Sequence, residues 1–157
     1  MGFFICLIMK CLIQRVNSAS VEVDKKIVGK IGQGVLIFLG VFDRDTGEDI
    51  DYLVEKILNL RIFPGQKKEF DFSLRQIKGE ILVVSQFTLC ASTAKGRRPD
   101  FSQAAESEKA KILYELFVEK LTKNNLKIAT GQFGKMMKVD LQNSGPATFI
   151  LNSVQKA

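Results

Sequence analysis

Histidine and tryptophan are absent from this 157-residue chain, and only three cysteines and three prolines occur. Without histidine there is no Ser-His-Asp or Cys-His nucleophile system. The side chain whose ordinary pKa best suits proton transfer near neutral pH is missing as well. Cys6, Cys11 and Cys90 are odd in number and form no CxxC pair. That spacing argues against a disulfide framework and, with no histidine, against a structural zinc site. A reduced, cytoplasmic setting is the expectation. No GxGxxG or Walker pattern is present, which disfavours nucleotide binding. The apolar run Phe3 to Met9 is far too short to span a bilayer, and no basic segment precedes it as a signal peptide requires. Gly2 invites myristoylation, but position 6 is cysteine where serine or threonine is wanted. Residues 1–8 are therefore expected to be an extension or an upstream start choice, with residues 9–157 forming one domain.

What is present suits a globular domain: 46% hydrophobic and 25% charged residues, with a net charge of +6. Lys25, Lys26, Lys30, Lys67, Lys68, Lys95, Arg97, Arg98, Lys135 and Lys138 are spread along the chain. They permit a polyanionic partner, although solvated surface charge is the simpler reading. Apolar alternation and turn residues predict strands at 11–16, 20–23, 27–31, 35–41, 61–63, 80–85, 128–130, 136–141 and 147–151. A break is expected at Asn17-Ser18 and a turn at Asn143 to Pro146. Thr46, with Asp49 three residues on, predicts a helix start, and Ile50, Leu53, Val54, Ile57 and Leu58 supply its buried stripe. Ser107 opens a second helix with Ala110, Leu113, Phe117 and Leu121 near one face. The fold class implied is α+β: a mixed or mostly antiparallel, barrel-like sheet with two packed helices.

With no histidine, chemistry must rest on positioning: backbone donors aimed at developing charge, a held water, or a group on the substrate. Ser85-Gln86-Phe87-Thr88-Leu89 follows the buried strand Ile81 to Val84, where polar groups leave the core and local amides can meet an oxyanion. The alternative is a strand continuing to an edge, with Phe87 and Leu89 inward. Asn143-Ser144-Gly145-Pro146-Ala147-Thr148 reads as a plain turn, yet Gly145 lets backbone approach a ligand with no Cβ in the way.

Together these segments resemble the two signatures of the D-aminoacyl-tRNA deacylases, SQ-F-TL and Asn-x-Gly-Pro-Val-Thr. Ile13 to Val16, Arg61-Ile62-Phe63, Arg98-Pro99 with Phe101-Ser102, and Gly131 to Gly134 followed by Met137 are similar too, so the resemblance covers about residues 9–152. It implies a homodimer that hydrolyses the ester of tRNA carrying a D-amino acid, a cytoplasmic proofreading step in translation that can extend to glycyl-tRNA. No cofactor, metal or membrane is implied. Ser85, Gln86, Phe87 and Thr88 would line the catalytic wall, with the Phe87 and Thr88 amides at the oxyanion. Gly145 and Pro146, joined by a cis bond, would enter the partner subunit's pocket and reject an L side chain. Arg15 would hold that dipeptide, and Phe133, Met137 and Thr148 would complete the binding groups. Phe133 also reads as simple core packing, and Thr88 as a nucleophile is the alternative to Thr88 as a positioning group. Ala147 in place of valine, and Phe70-Asp71-Phe72-Ser73 in place of a Met-Asn run, depart from the family pattern. Competing readings are a related L-alanyl-tRNA editing deacylase, a non-catalytic RNA- or DNA-binding module, and a small-molecule ester hydrolase. Arg15 after Gln14 and Phe87 after Gln86 favour the D-specific type.

Overall fold

In the computed structural model, which describes residues 8–153, the elements run in the order β1 (Lys10–Val23), β2 (Lys26–Ile31), β3 (Gly34–Gly40), α1 (Gly47–Asn59), β4 (Arg61–Phe63), β5 (Phe72–Ser73), α2 (Leu74–Ile77), β6 (Glu80–Ser85), α3 (Ser107–Thr122), β7 (Ile128–Thr130) and β8 (Lys138–Asn152). The expected N-terminal extension lies outside the described residues except for Ile8.

β1 is one 14-residue strand where the sequence predicts two. Its register with β8 shifts between Gln14 and Val16 and again between Val16 and Ser18. Cys11, Ile13 and Arg15 are buried before the shifts, and Ala19, Val21 and Val23 after them. An odd residue count at a bulge carries the chain to the other face without ending the strand. The polar pair Asn17-Ser18 thus marks a bulge rather than a terminus. β8 is likewise continuous, and the predicted turn at Asn143 to Pro146 lies inside it.

β8 pairs with β1 along most of its length, while β3 and then β2 run antiparallel along the opposite edge. β6 joins β3 in parallel, and β7 joins β6 in parallel. Parallel neighbours need crossovers, which the segments containing α1 and α3 supply. β4 and β5 form a small separate pair.

The central strands of the sheet bury both faces. Cys11, Ile13, Val35, Ile37, Leu39, Ile81 and Val83 meet the apolar stripes of α1 and α3. Val16, Val21, Ile31, Leu36, Leu82 and Val84 fill the concave side. Two-sided burial is why β3 and β6 read as near-continuous apolar runs. The α1 stripe is buried as predicted, and the Asp49 carboxylate accepts from the Thr46 N–H at 2.8 Å to close the first turn. The prediction of two helices holds for the long ones; α2 is a single extra turn. Ser73 opens it by accepting from the Gln76 N–H at 3.2 Å, and Gln76 Oε1 accepts from the Ser73 N–H at 2.8 Å. No helix among the described residues is long and apolar enough to cross a membrane.

Candidate active site

Ser85 is the last residue of β6 and sits beside Leu39 of β3. The chain does not continue as a strand: Phe87–Cys90 winds into a 3-10 turn. The turn's internal bonds begin with the Leu89 N–H donating to the Gln86 carbonyl at 3.2 Å. The amides of Phe87 and Thr88 precede that bond, so no carbonyl within the turn meets them. Gln86 is anchored through its own N–H to the Leu39 carbonyl at 2.8 Å, and its side-chain amide donates to the Thr88 hydroxyl. Phe87 is exposed and tilts against Phe101, with ring centroids 5.1 Å apart. The inward placement that a continuing strand would give Phe87 is therefore not found.

β7 runs parallel to β6, so Gly131 to Phe133 emerges at the same end of the sheet as Ser85; the Gly131 N–H still bonds the Val83 carbonyl at 3.1 Å. Phe133 is half-buried against Tyr114, 5.8 Å between centroids. It thus packs against the core. Tyr114 itself donates to the Val83 carbonyl at 3.0 Å, and burial pushes its phenol up to about 12. Met137 lies against Gly131, where an added Cβ would strike its sulfur.

The second segment is built differently. Gln14 of β1 faces Thr148 and Val16 faces Asn143, so Ser144, Gly145, Pro146 and Ala147 all stand opposite Arg15 alone. They form an outward corner in β8, with a cis bond between Gly145 and Pro146 as the resemblance implies. Gly145 has φ +127°, a conformation that glycine tolerates and L residues rarely adopt. A Cβ there would sit 2.8 Å from Arg15 Nη2. Asn143 closes the corner from within: its Oδ1 accepts from the Ala147 N–H at 3.1 Å and its Nδ2 donates to the Thr148 hydroxyl at 2.9 Å. Gln14 Nε2 donates to the same hydroxyl at 3.4 Å.

Arg15 is 4% exposed. Its Nε donates to the Ser144 carbonyl at 3.1 Å, Nη1 to the Ile62 carbonyl at 2.9 Å and Nη2 to Glu69 Oε1 at 2.6 Å. A planar guanidinium donates from three separate nitrogens in one plane, a spread that the single nitrogen of a lysine does not match. The contributions of Glu69 and Asn143 were not among the sequence-derived site residues. For Asn143 the signal was its place at the head of the second signature; for the long-range Glu69 contact there was none.

The chain gathers Ser85, Gln86, Phe87, Thr88, Phe133 and Met137 toward one end of the sheet. It does not gather Arg15, Gly145, Pro146 and Thr148 with them. The row through Ser85 crosses Leu39, Cys11 and Leu151. Measured over the sheet surface, three strand spacings plus the run along β8 back to Pro146 separate the two groups by on the order of 20 Å. Gly145 and Pro146 are exposed. A separate concavity runs along α1 between Arg44 and Arg61 and contains none of these residues.

The family described as D-Tyr-tRNA(Tyr) deacylase matches residues 12–152. A D-aminoacyl-tRNA deacylase of Thermosipho melanesiensis is 56% identical over 146 residues, covering 92% of this chain and 97% of that protein. One of Aquifex aeolicus is 55% identical over 145 residues, covering 92% and 98%. Among solved structures, the c-Myc DNA Unwinding Element Binding Protein aligns with TM-score 0.87 at 41% identity, over 93% of this chain and 99% of that one. A probable eukaryotic D-amino acid tRNA deacylase shares the fold, with TM-score 0.81 at 20% identity over 92% and 98%. Both sequence signatures fall within the matched span, and the chain belongs to the D-Tyr-tRNA(Tyr) deacylase family.

Proposed function

We propose that this protein hydrolyses the ester bond of D-aminoacyl-tRNA, releasing the free D-amino acid and tRNA, and that two protomers build each site. The observation that carries the second part is the separation just described: the two signature segments lie about three strands apart in one chain. A second copy docking on β8 would bring the exposed corner of one protomer to the Ser85–Thr88 wall of the other. The β8 strand suits such a contact, because among the described residues it has no strand on its outer edge, and it exposes Leu141 and Ile150.

In that site water attacks the ester carbonyl carbon, the carbonyl oxygen takes up negative charge, and the carbon–oxygen bond to the terminal ribose breaks. The Phe87 and Thr88 amides donate to the developing oxyanion. The ribose hydroxyl beside the ester assists the proton transfers that a histidine would otherwise perform. Thr88 positions the substrate: its only side-chain partner among the described residues is Gln86, which is no base. The Gly145 and Pro146 carbonyls face the substrate amino group, and the corner leaves no room for an L side chain. Glycyl-tRNA, having no side chain to clash, is cleaved as well. The setting is the cytoplasm, where aminoacyl-tRNA is found.

Paired deacylation assays with D-Tyr-tRNA and L-Tyr-tRNA test the activity. The expected result is hydrolysis of the D ester only; equal cleavage of both would overturn the stereochemical assignment. The shared site is tested by mixing two inactive variants, Gly145→Ala and a strand-end variant Phe87→Pro, which deletes an oxyanion donor. Random exchange of protomers restores about a quarter of the sites if the corner acts in trans, because one site per mixed dimer is whole. No recovery despite demonstrated exchange would place both halves in one chain.

A further inference from the structure

The proposed chemistry uses no residue of the loop between β4 and β5, yet that loop holds the arginine behind the corner. Glu69 is the only carboxylate bonded to Arg15 among the described residues, at 2.6 Å through Nη2. The same Nη2 is the atom that a Cβ on Gly145 would meet. Phe70 lies under the guanidinium, 5.8 Å from its carbon to the ring centroid, and meets Phe149 of β8 edge-on at 5.9 Å and 80°. Phe149 follows the corner in the chain, next to Thr148. The loop is itself tied down: the Gly65 N–H donates to the Lys68 carbonyl at 2.8 Å, the Asp71 N–H to the Phe63 carbonyl at 2.9 Å, and Arg61 Nε to the Asp71 carbonyl at 2.6 Å.

These contacts make a chain from a pinned loop through a guanidinium to the corner. Two main-chain carbonyls fix the Nε and Nη1 sides of Arg15. Without Glu69 the Nη2 side has no other hydrogen-bond partner among the described residues. Glu69 is 60% exposed at its side chain. Water therefore screens its attraction for Arg15, and what the pair adds to overall stability is small. Its effect is directional: a short charge-assisted bond fixes the rotation of the planar group that backs Gly145.

We propose that Glu69 is a positioning residue for chiral discrimination, acting through Arg15 on the Gly145 corner, with Phe70 as the brace. This rests on the proposed function, because it assigns a residue to the selectivity of that reaction. Loosening the corner admits the L side chain, so the D-to-L ratio of kcat/KM is the quantity that responds. A residue needed only for folding would lower both rates together and leave their ratio alone.

The test measures that ratio and Tm for wild type, Glu69→Ala, Glu69→Gln and Phe70→Leu. Glu69→Ala is expected to lower the D-to-L ratio roughly tenfold while Tm moves by no more than about 2 °C. Glu69→Gln keeps an acceptor without the charge and falls between. Phe70→Leu loosens the brace and lowers the ratio less than Glu69→Ala does. In an Arg15→Lys background, Glu69→Ala is expected to change the ratio no further, since the link it acts through is gone. A ratio unchanged within about twofold in Glu69→Ala would overturn the proposal, as would equal effects of Glu69→Ala in both backgrounds. Wild type that fails to cleave the D ester would instead defeat the proposed function itself.

Discussion

Ser85 leaves the sheet at the end of a strand whose preceding four residues are buried, whereas Gly145 and Pro146 leave it from the middle of a strand that is mostly exposed. The first segment is held by main-chain ladders: β6 is paired on both sides, and the Gln86 N–H bonds the β3 carbonyl of Leu39. The second is held by side chains, with Arg15 and Asn143 standing in for the ladder that the corner interrupts. What the two present also follows from this. The strand end offers amides, which every residue but proline carries. The corner offers carbonyls in a backbone shape that few sequences adopt. Substitutions should therefore be tolerated at the wall and punished at the corner.

Gly145→Ala is the sharpest test of that difference. It forces a Cβ onto a backbone with φ +127° and to within 2.8 Å of Arg15 Nη2. The loss in kcat/KM on D-Tyr-tRNA is expected to reach on the order of a hundredfold, the scale of an ångström-sized misplacement of a positioning group. Circular dichroism should show the fold retained. A nearly active Gly145→Ala would mean that the corner is not near the chemistry. Arg15→Lys ranks second. The single nitrogen of a lysine does not match the spread of Ser144, Ile62 and Glu69, so turnover is expected to fall on the order of tenfold or more and Tm by several degrees. Thr88→Ala ranks third, with a loss below about tenfold, because the amide remains when the hydroxyl goes. Complete inactivity there, with a trapped acyl-enzyme in the wild type, would make Thr88 the nucleophile and reverse the contrast.

The same contrast explains what could be read from the sequence. The α1 start at Thr46 and its stripe from Ile50 to Leu58 were legible because capping and helical periodicity are local. The β6 run was legible because burial on both faces leaves an unbroken apolar signature. The extent of β1 and β8 was not. Asn17-Ser18 and Asn143 to Pro146 carry turn chemistry, and only the pairing of β1 with β8, more than a hundred residues apart in sequence, keeps both strands running through it. The first signature was legible as a family resemblance, but the 3-10 turn that exposes Phe87 was not anticipated. Glu69 was invisible because its meaning lies in a contact with Arg15, 54 positions away.

The smallest expected effect concerns the opposite end of the β1–β8 pair, and it separates holding the strands from shaping the corner. Met9 and Ser153 flank that end, their backbones joined by the Ser153 N–H donating to the Met9 carbonyl at 2.9 Å. Asp45 accepts from the Met9 N–H at 2.8 Å and from the Phe42 N–H at 2.6 Å, while Asp49 Oδ1 accepts from the Ser153 hydroxyl at 2.6 Å. Asp45 is 2% exposed, and burial pushes its carboxyl up to about 6; the two N–H donors and Lys109 oppose the shift, and Asp49 adds to it. A folded-state pKa above the ordinary 3.8 means that folding favours the protonated acid. Its contribution to stability is full below about pH 3.8 and is lost as pH rises through about 6. Asp45→Asn cannot ionise, so wild-type Tm minus variant Tm should fall by a few degrees between about pH 4 and pH 6.5 and stay level above. A flat difference across that window would show that Asp45 titrates as an ordinary surface acid. The D-to-L ratio of the two proteins should coincide at every pH where both are folded, because neither Met9 nor Ser153 touches Arg15 or the corner. If the ratio follows Tm instead, the two ends of β8 act as one unit, and the corner's shape depends on the whole strand rather than on the side chains behind it.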